Sequence, residues 1–137
     1  MKTLLLSAPV FCLAFLAILF LQSGLDKVFN YKGNKEWLDS HFAKSPLKNT
    51  VSFLMPAITS LEVFSGVFCA LGIIQLMVDG SAQMGLIGSQ LSTISILALF
   101  FGQRVAQDYE GAATLTTYFI ISIISNYLMW DMIKVGY

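Results

Sequence analysis

Glu62 is the residue best placed to do chemistry in this 137-residue chain, because it is the single charge between Lys48 and Asp79. It stands eleven residues past Val51, which at helical rise puts it roughly 16 Å along its segment. A carboxylate at that depth costs a few kcal/mol even on lenient insertion scales, so it must face protein and meet a cation, a proton or a ligand. Other ionisable groups gather toward the same end: Asp26 and Lys27 close the first apolar run, and Arg104 and Asp108 stand at i,i+4 spacing after the third. Lys27 or Arg104 is able to reach Glu62 by uncoiling an apolar stem. Two readings stand side by side. In one, Glu62 belongs to a buried pair that fixes helix register, while the other four are solvated helix ends with a surface ion pair. In the other, Glu62, Lys27, Arg104, Asp108 and Asp26 form a polar cluster for a ligand, a proton or a partner.

Much familiar chemistry is missing. Cys12 and Cys69 form no C-x-x-C motif; they sit at similar depth on neighbouring spans, where a contact is possible but buried free thiols are expected. His41 is the sole histidine, which excludes two-histidine haem ligation, and no Cys, His or carboxylate cluster has metal-site spacing. There is no glycine-rich phosphate loop and no serine-nucleophile elbow. The chain is therefore not expected to be an enzyme on its own or to carry an intrinsic cofactor, although a quinone or lipid could lodge beside Glu62.

The elements that must hold these residues follow from charge spacing. The chain is 56% apolar and 12% charged with zero formal net charge, about half the charged fraction of a soluble domain, and its mean hydropathy is +0.73. Residues 3–25, 80–103 and 111–130 hold no charge, and 49–78 hold only Glu62. Roughly 20 apolar residues cross about 30 Å of hydrocarbon, so each run is long enough to span. The expected fold is an all-α membrane protein: a four-transmembrane-helix bundle, one membrane domain over 1–137, with spans at about 4–29, 47–78, 84–104 and 112–133. The apolar runs are continuous and so exclude an outer-membrane barrel, and no basic patch or RNA-binding motif supports a nucleic-acid partner. The first run is too long for a signal-peptide core, and Leu21-Gln22-Ser23 is a poor cleavage site, so it is expected to stay as a helix. Ser45-Pro46 reads as a cap and first helical position for span 2, with a bend expected at Pro56.

Between spans 1 and 2, Trp37, Leu38, His41 and Phe42 share one helical face opposite Lys35, Glu36, Asp39 and Lys44. This predicts a short interfacial amphipathic helix over about 34–44, with Trp37, Phe42 and Tyr31 as anchors in the headgroup layer. Asp79-Gly80-Ser81 is the expected turn between spans 2 and 3. Lys27, Lys32, Lys35, Lys44, Lys48 and Arg104 lie on the side of this first loop, against Lys2 and Lys134 on the other. The positive-inside rule then places loop 1 in the cytoplasm and both termini outside. Gly66, Ala70 and Gly72 in span 2, Gly85, Gly88, Ser89, Ser92 and Thr93 in span 3, and Ser122, Ser125 and Asn126 in span 4 are the expected packing surfaces, with Asn126 turned into the bundle.

The same residues carry a resemblance. Gly24-Leu25-Asp26-Lys27 at the end of span 1 resembles the G-x-x-K ending of the DoxX-like family of small four-span membrane proteins. Glu62-Val63-Phe64-Ser65-Gly66 with Leu71-Gly72 is similar to that family's span 2, and Arg104 to Asp108 with Gly111-Ala112-Ala113 to its entry into span 4. The chain departs from many members in having only Lys2 where they carry an arginine early in span 1. The resemblance implies a bacterial inner-membrane location, and a role as accessory subunit or assembly factor among other membrane protein subunits. Some relatives serve thiosulfate:quinone oxidoreductases, which implies a quinone-binding subunit as the second reading. A small transporter or proton pathway through Glu62 is the third.

Overall fold

The computed structural model describes residues 7–135; Lys2 and the expected start of span 1 at residue 4 lie outside them. The described residues form five helices: α1 (Ala8–Phe29), α2 (Tyr31–His41), α3 (Val51–Asp79), α4 (Gln83–Val105) and α5 (Tyr109–Lys134). All but α2 are long and apolar enough to cross a membrane. Pro9 falls in the first turn of α1, where its missing N–H costs nothing. α3 runs through Pro56 as one helix and stops at Gly80, whose φ of 76° is a left-handed cap. Asp79 Oδ1 then accepts from Ser81 N at 2.8 Å, completing the expected turn.

Three boundaries differ from expectation, each for a local reason. Span 2 begins at Val51, not near Pro46, because Ser45 to Asn49 form turns and Asn49 has a φ of 69°, which no continuing helix tolerates. The last span begins at Tyr109, three residues earlier than expected, because Asp108 caps it by accepting from Gly111 N at 2.9 Å. The interfacial helix runs from Tyr31 to His41, so it starts earlier and ends earlier than its apolar face suggested.

Within the bundle α3 packs against both α1 and α4, α5 packs on α4, and lighter contacts from α1 to α4 and α5 close the ring. Leu13, Leu16 and Phe20 of α1 meet Leu76, Ile96 and Met129 in the core. Outward faces carry Phe11, Ile18, Phe53, Phe64 and Ile120, all more than half exposed. Such a surface would aggregate in water and is solvated by lipid tails.

What holds helices together in lipid is close approach and polar contact, and both are present. A Cβ on Gly72 would stand 2.6 Å from Gly85 Cα, so α3 and α4 touch backbone to backbone. A buried hydroxyl seam joins α3 to α4 through Ser65 and Ser95 (3.1 Å), and α4 to α5 through Ser89 and Ser125 (2.6 Å). Asn126 turns into the bundle as expected, its Nδ2 lying 2.7 Å from Thr93 Oγ1 and 3.0 Å from Ser89 O. Asn126→Leu is expected to weaken the α4–α5 contact by about 1–2 kcal/mol, the range of interhelical polar contacts in membranes. An unchanged unfolding midpoint in detergent would mean these bonds carry no net stability. Both cysteines are free, and Cys69 faces Ser92 at 3.6 Å.

Candidate functional site

Glycines bring the ionisable residues together. A Cβ on Gly24 would meet Val63 N at 3.0 Å, and one on Gly66 would meet Leu21 N at 2.7 Å, so α1 and α3 lie nearly in backbone contact over this stretch. Lys27, one turn beyond Gly24, therefore projects across to Glu62. Its Nζ stands 3.0 Å from Glu62 Oε1 and donates to Ser23 Oγ at 2.9 Å. Glu62 has no exposed surface, and neither of its oxygens accepts an aligned hydrogen bond from the described residues. The pair is thus held by charge and proximity, with the aligned hydrogen bond of Lys27 going to Ser23. It is the inward contact that the depth of Glu62 demands.

The other expected members lie apart from it. Asp26 faces the interfacial helix, where its Oδ2 accepts from Asn34 Nδ2 at 3.2 Å and fixes the corner between α1 and α2. Arg104 does not pair with Asp108: its guanidinium lies over the Tyr109 ring, 4.5 Å from the centroid. Asp108 is occupied in capping α5 and sits 3.7 Å from His41 Nε2. The anchors divide as well. Trp37 and Tyr31 are exposed, but Phe42 is buried against Val51 and Met55 in a second small core, so it plugs the protein and not the lipid.

Sequence reasoning missed what links α2 to the bundle. His41 stacks on Trp37 with centroids 4.5 Å apart, and its Nε2 lies 2.6 Å from Gln103 Oε1 on α4. The helical spacing of Trp37 and His41 was visible; Gln103, a neutral amide near a helix end, has no positional signature. Beneath this link lies a cavity of about 340 Å³ between α2, α3 and α4. Lys27, Asn34, His41 and Gln103 are its polar lining, and Trp37 adds an aromatic face. The remaining wall is apolar, built mainly by Leu54, Ile58 and Leu61 of α3 with Leu99 of α4. That volume and composition are those of a small-molecule site. Among the described residues no three His, Cys, Asp or Glu side chains are placed to hold a metal ion.

A four-span bundle with a lysine paired to a buried glutamate beside an interfacial apolar cavity defines a class of small multi-pass membrane protein. Residues 13–78, which cover most of α1, all of α2 and nearly all of α3, match the DoxX family model, so over this segment the chain is similar to that family. The glycines, lysine and glutamate that bring α1 against α3 fall within the matched segment. No curated protein and no solved structure matches the chain.

Proposed function

We propose that this chain is a DoxX-like, non-catalytic subunit of a larger membrane complex, and that it holds a neutral, carbonyl-bearing, lipid-soluble molecule of the quinone class. The cavity carries this reading. Its walls are apolar enough to take a ring and the start of a hydrocarbon tail, and its polar groups sit on a few side chains able to orient a head group. The charge of Lys27 is already offset by Glu62 at 3.0 Å. Glu62, buried behind Lys27, offsets much of the pull that an anionic head would feel, whereas a carbonyl oxygen needs only donors. Lys27 and the Gln103 amide supply donors, and Trp37 offers a flat face for a ring. A bound quinone would exchange electrons with another chain of the complex; the residues here bind and orient it. By the count of lysine and arginine the cavity opens on the cytoplasmic side, and the family resemblance implies that the membrane is a bacterial inner membrane.

The test uses Trp37 as the reporter, since Trp130 is the only other tryptophan. In Trp130→Phe protein, a short-chain quinone is expected to quench Trp37 fluorescence saturably. Ala57→Phe, which narrows the cavity from an exposed wall position, should weaken that binding about tenfold, in keeping with a pocket that loses its shape. Quenching that rises linearly and equally in both proteins would reduce the effect to partition into lipid and refute the ligand. The subunit half of the reading fails if the tagged chain leaves native membranes in mild detergent without a stoichiometric partner.

A further inference from the structure

Gln90 poses a separate problem at the other end of α4. It is exposed, seven residues into the helix, and makes no hydrogen bond with the described residues. Seven residues of helix place it about 10 Å below the start of α4. The contacts of α4 with α5 fix its level more closely: Asn126 binds the backbone of neighbouring Ser89, while Met129 lies against Gly85. Trp130, the aromatic residue suited to the membrane–water boundary, therefore sits about one turn closer to the surface than Gln90. Gln90 faces hydrocarbon. A primary amide left bare there is costly, so its surface is expected to be covered by a group that both donates and accepts.

We propose that the Gln90 face of α4 and α5 is where two copies of this chain meet. Two copies inserted in the same direction are related by an axis normal to the membrane, so each residue meets its equivalent at equal depth. An amide is self-complementary, and two Gln90 side chains facing each other exchange two hydrogen bonds without any other polar group. The surroundings suit the contact. Ile87, Gln90, Ile94 and Leu97 follow the three-four spacing of a helix seam and are all exposed. A single polar residue in such a seam sets register and partner number. Beside it, Gln90, Asn126 and Tyr127 line a shallow groove between α4 and α5 that receives the facing helix. This surface lies toward the opposite end of α4 from the 98–103 segment that lines the cavity, and the proposal stands whether or not a quinone binds there.

The experiment places single cysteines at Ile87→Cys and Ile94→Cys, which flank Gln90 and leave its amide intact, in a chain with Cys12→Ser and Cys69→Ala. Ile18→Cys on the exposed face of α1 is the control. In bilayers, oxidation is expected to give covalent dimers from the two α4 positions and not from Ile18. Gln90→Leu, which makes the lipid face more apolar and so preserves the fold, should weaken the dimer about fivefold to tenfold, as expected for two interhelical hydrogen bonds in lipid. Gln90→Asn should recover part of the loss. Equal cross-linking at Ile18, a monomer at all lipid dilutions, an unaltered dimer in Gln90→Leu, or a different protein cross-linked at Ile87 or Ile94 would each overturn the proposal.

Discussion

Glu62→Lys should leave almost no folded protein, whereas Glu62→Leu should be recovered from the membrane in useful yield. Glu62 has no exposed surface and a single cation at 3.0 Å. Placing an ammonium there sets it against Lys27 with no anion between, at a depth where an unpaired cation costs about 2.5–3.5 kcal/mol before repulsion is added. Leucine removes the carboxylate and fits an apolar surrounding, and it leaves Lys27 its bond to Ser23 and a path toward the interface. Lys27→Met strands the buried carboxylate instead and should cost about 2–4 kcal/mol, somewhat below the full buried-pair penalty because Lys27 itself borders the cavity. The double variant Lys27→Met with Glu62→Leu should regain most of that, because replacing a buried pair by apolar groups is often near neutral. Monodisperse yield and unfolding midpoint across this four-protein cycle measure the coupling directly. Equal yields of Glu62→Lys and Glu62→Leu would place residue 62 against water or headgroups and contradict the buried pair.

The logic behind that pair was half legible in the sequence. Depth alone requires Glu62 to face inward, since the cost of a bare carboxylate in hydrocarbon does not depend on the details of packing. Which cation answers it was not readable, because Lys27 and Arg104 both stand at the loop-1 end with stems of similar reach. Backbone proximity decides it. Gly24 and Gly66 let α1 close on α3, and Lys27 is carried within reach, while Arg104 finds the Tyr109 ring. Asp108 was misread for a related reason: i,i+4 spacing suggests a pair, but a helix begins just after it, and a free N–H of the first turn at 2.9 Å is the nearer claim on its carboxylate. The spans themselves were plain, because they follow from charge-free length. The cavity was not, because it exists only where α2 folds back over α3 and α4, and the contact that holds it there joins a histidine to a neutral amide.

A second set of glycines, between α3 and α4, sets the largest steric prediction. At Gly72 an added Cβ would lie 2.6 Å from Gly85 Cα, and at Gly88 it would lie 2.6 Å from Cys69 N. Both obstacles are backbone, so no rotamer change relieves them, and α3 and α4 must separate. Separation stretches the Ser65–Ser95 hydrogen bond and opens the contact of Cys69 with Ser92. Alanine at either position gains helix propensity, about 1 kcal/mol, yet is expected to destabilise by a net 1–3 kcal/mol, the cost of overpacking a filled interior. Gly102→Ala is the control: its Cβ would stand 3.4 Å from Phe42 Cζ, at the edge of ordinary contact with a ring that can shift slightly, and it should be neutral or mildly stabilising. Leucine at Gly72 or Gly88 should abolish folding. The comparison isolates close approach from propensity, since all three glycines lie within helices and gain the same propensity on substitution. If Gly72→Ala and Gly88→Ala unfold at the same midpoint as Gly102→Ala, the α3–α4 crossing is looser than backbone contact and the hydroxyl seam alone must hold it.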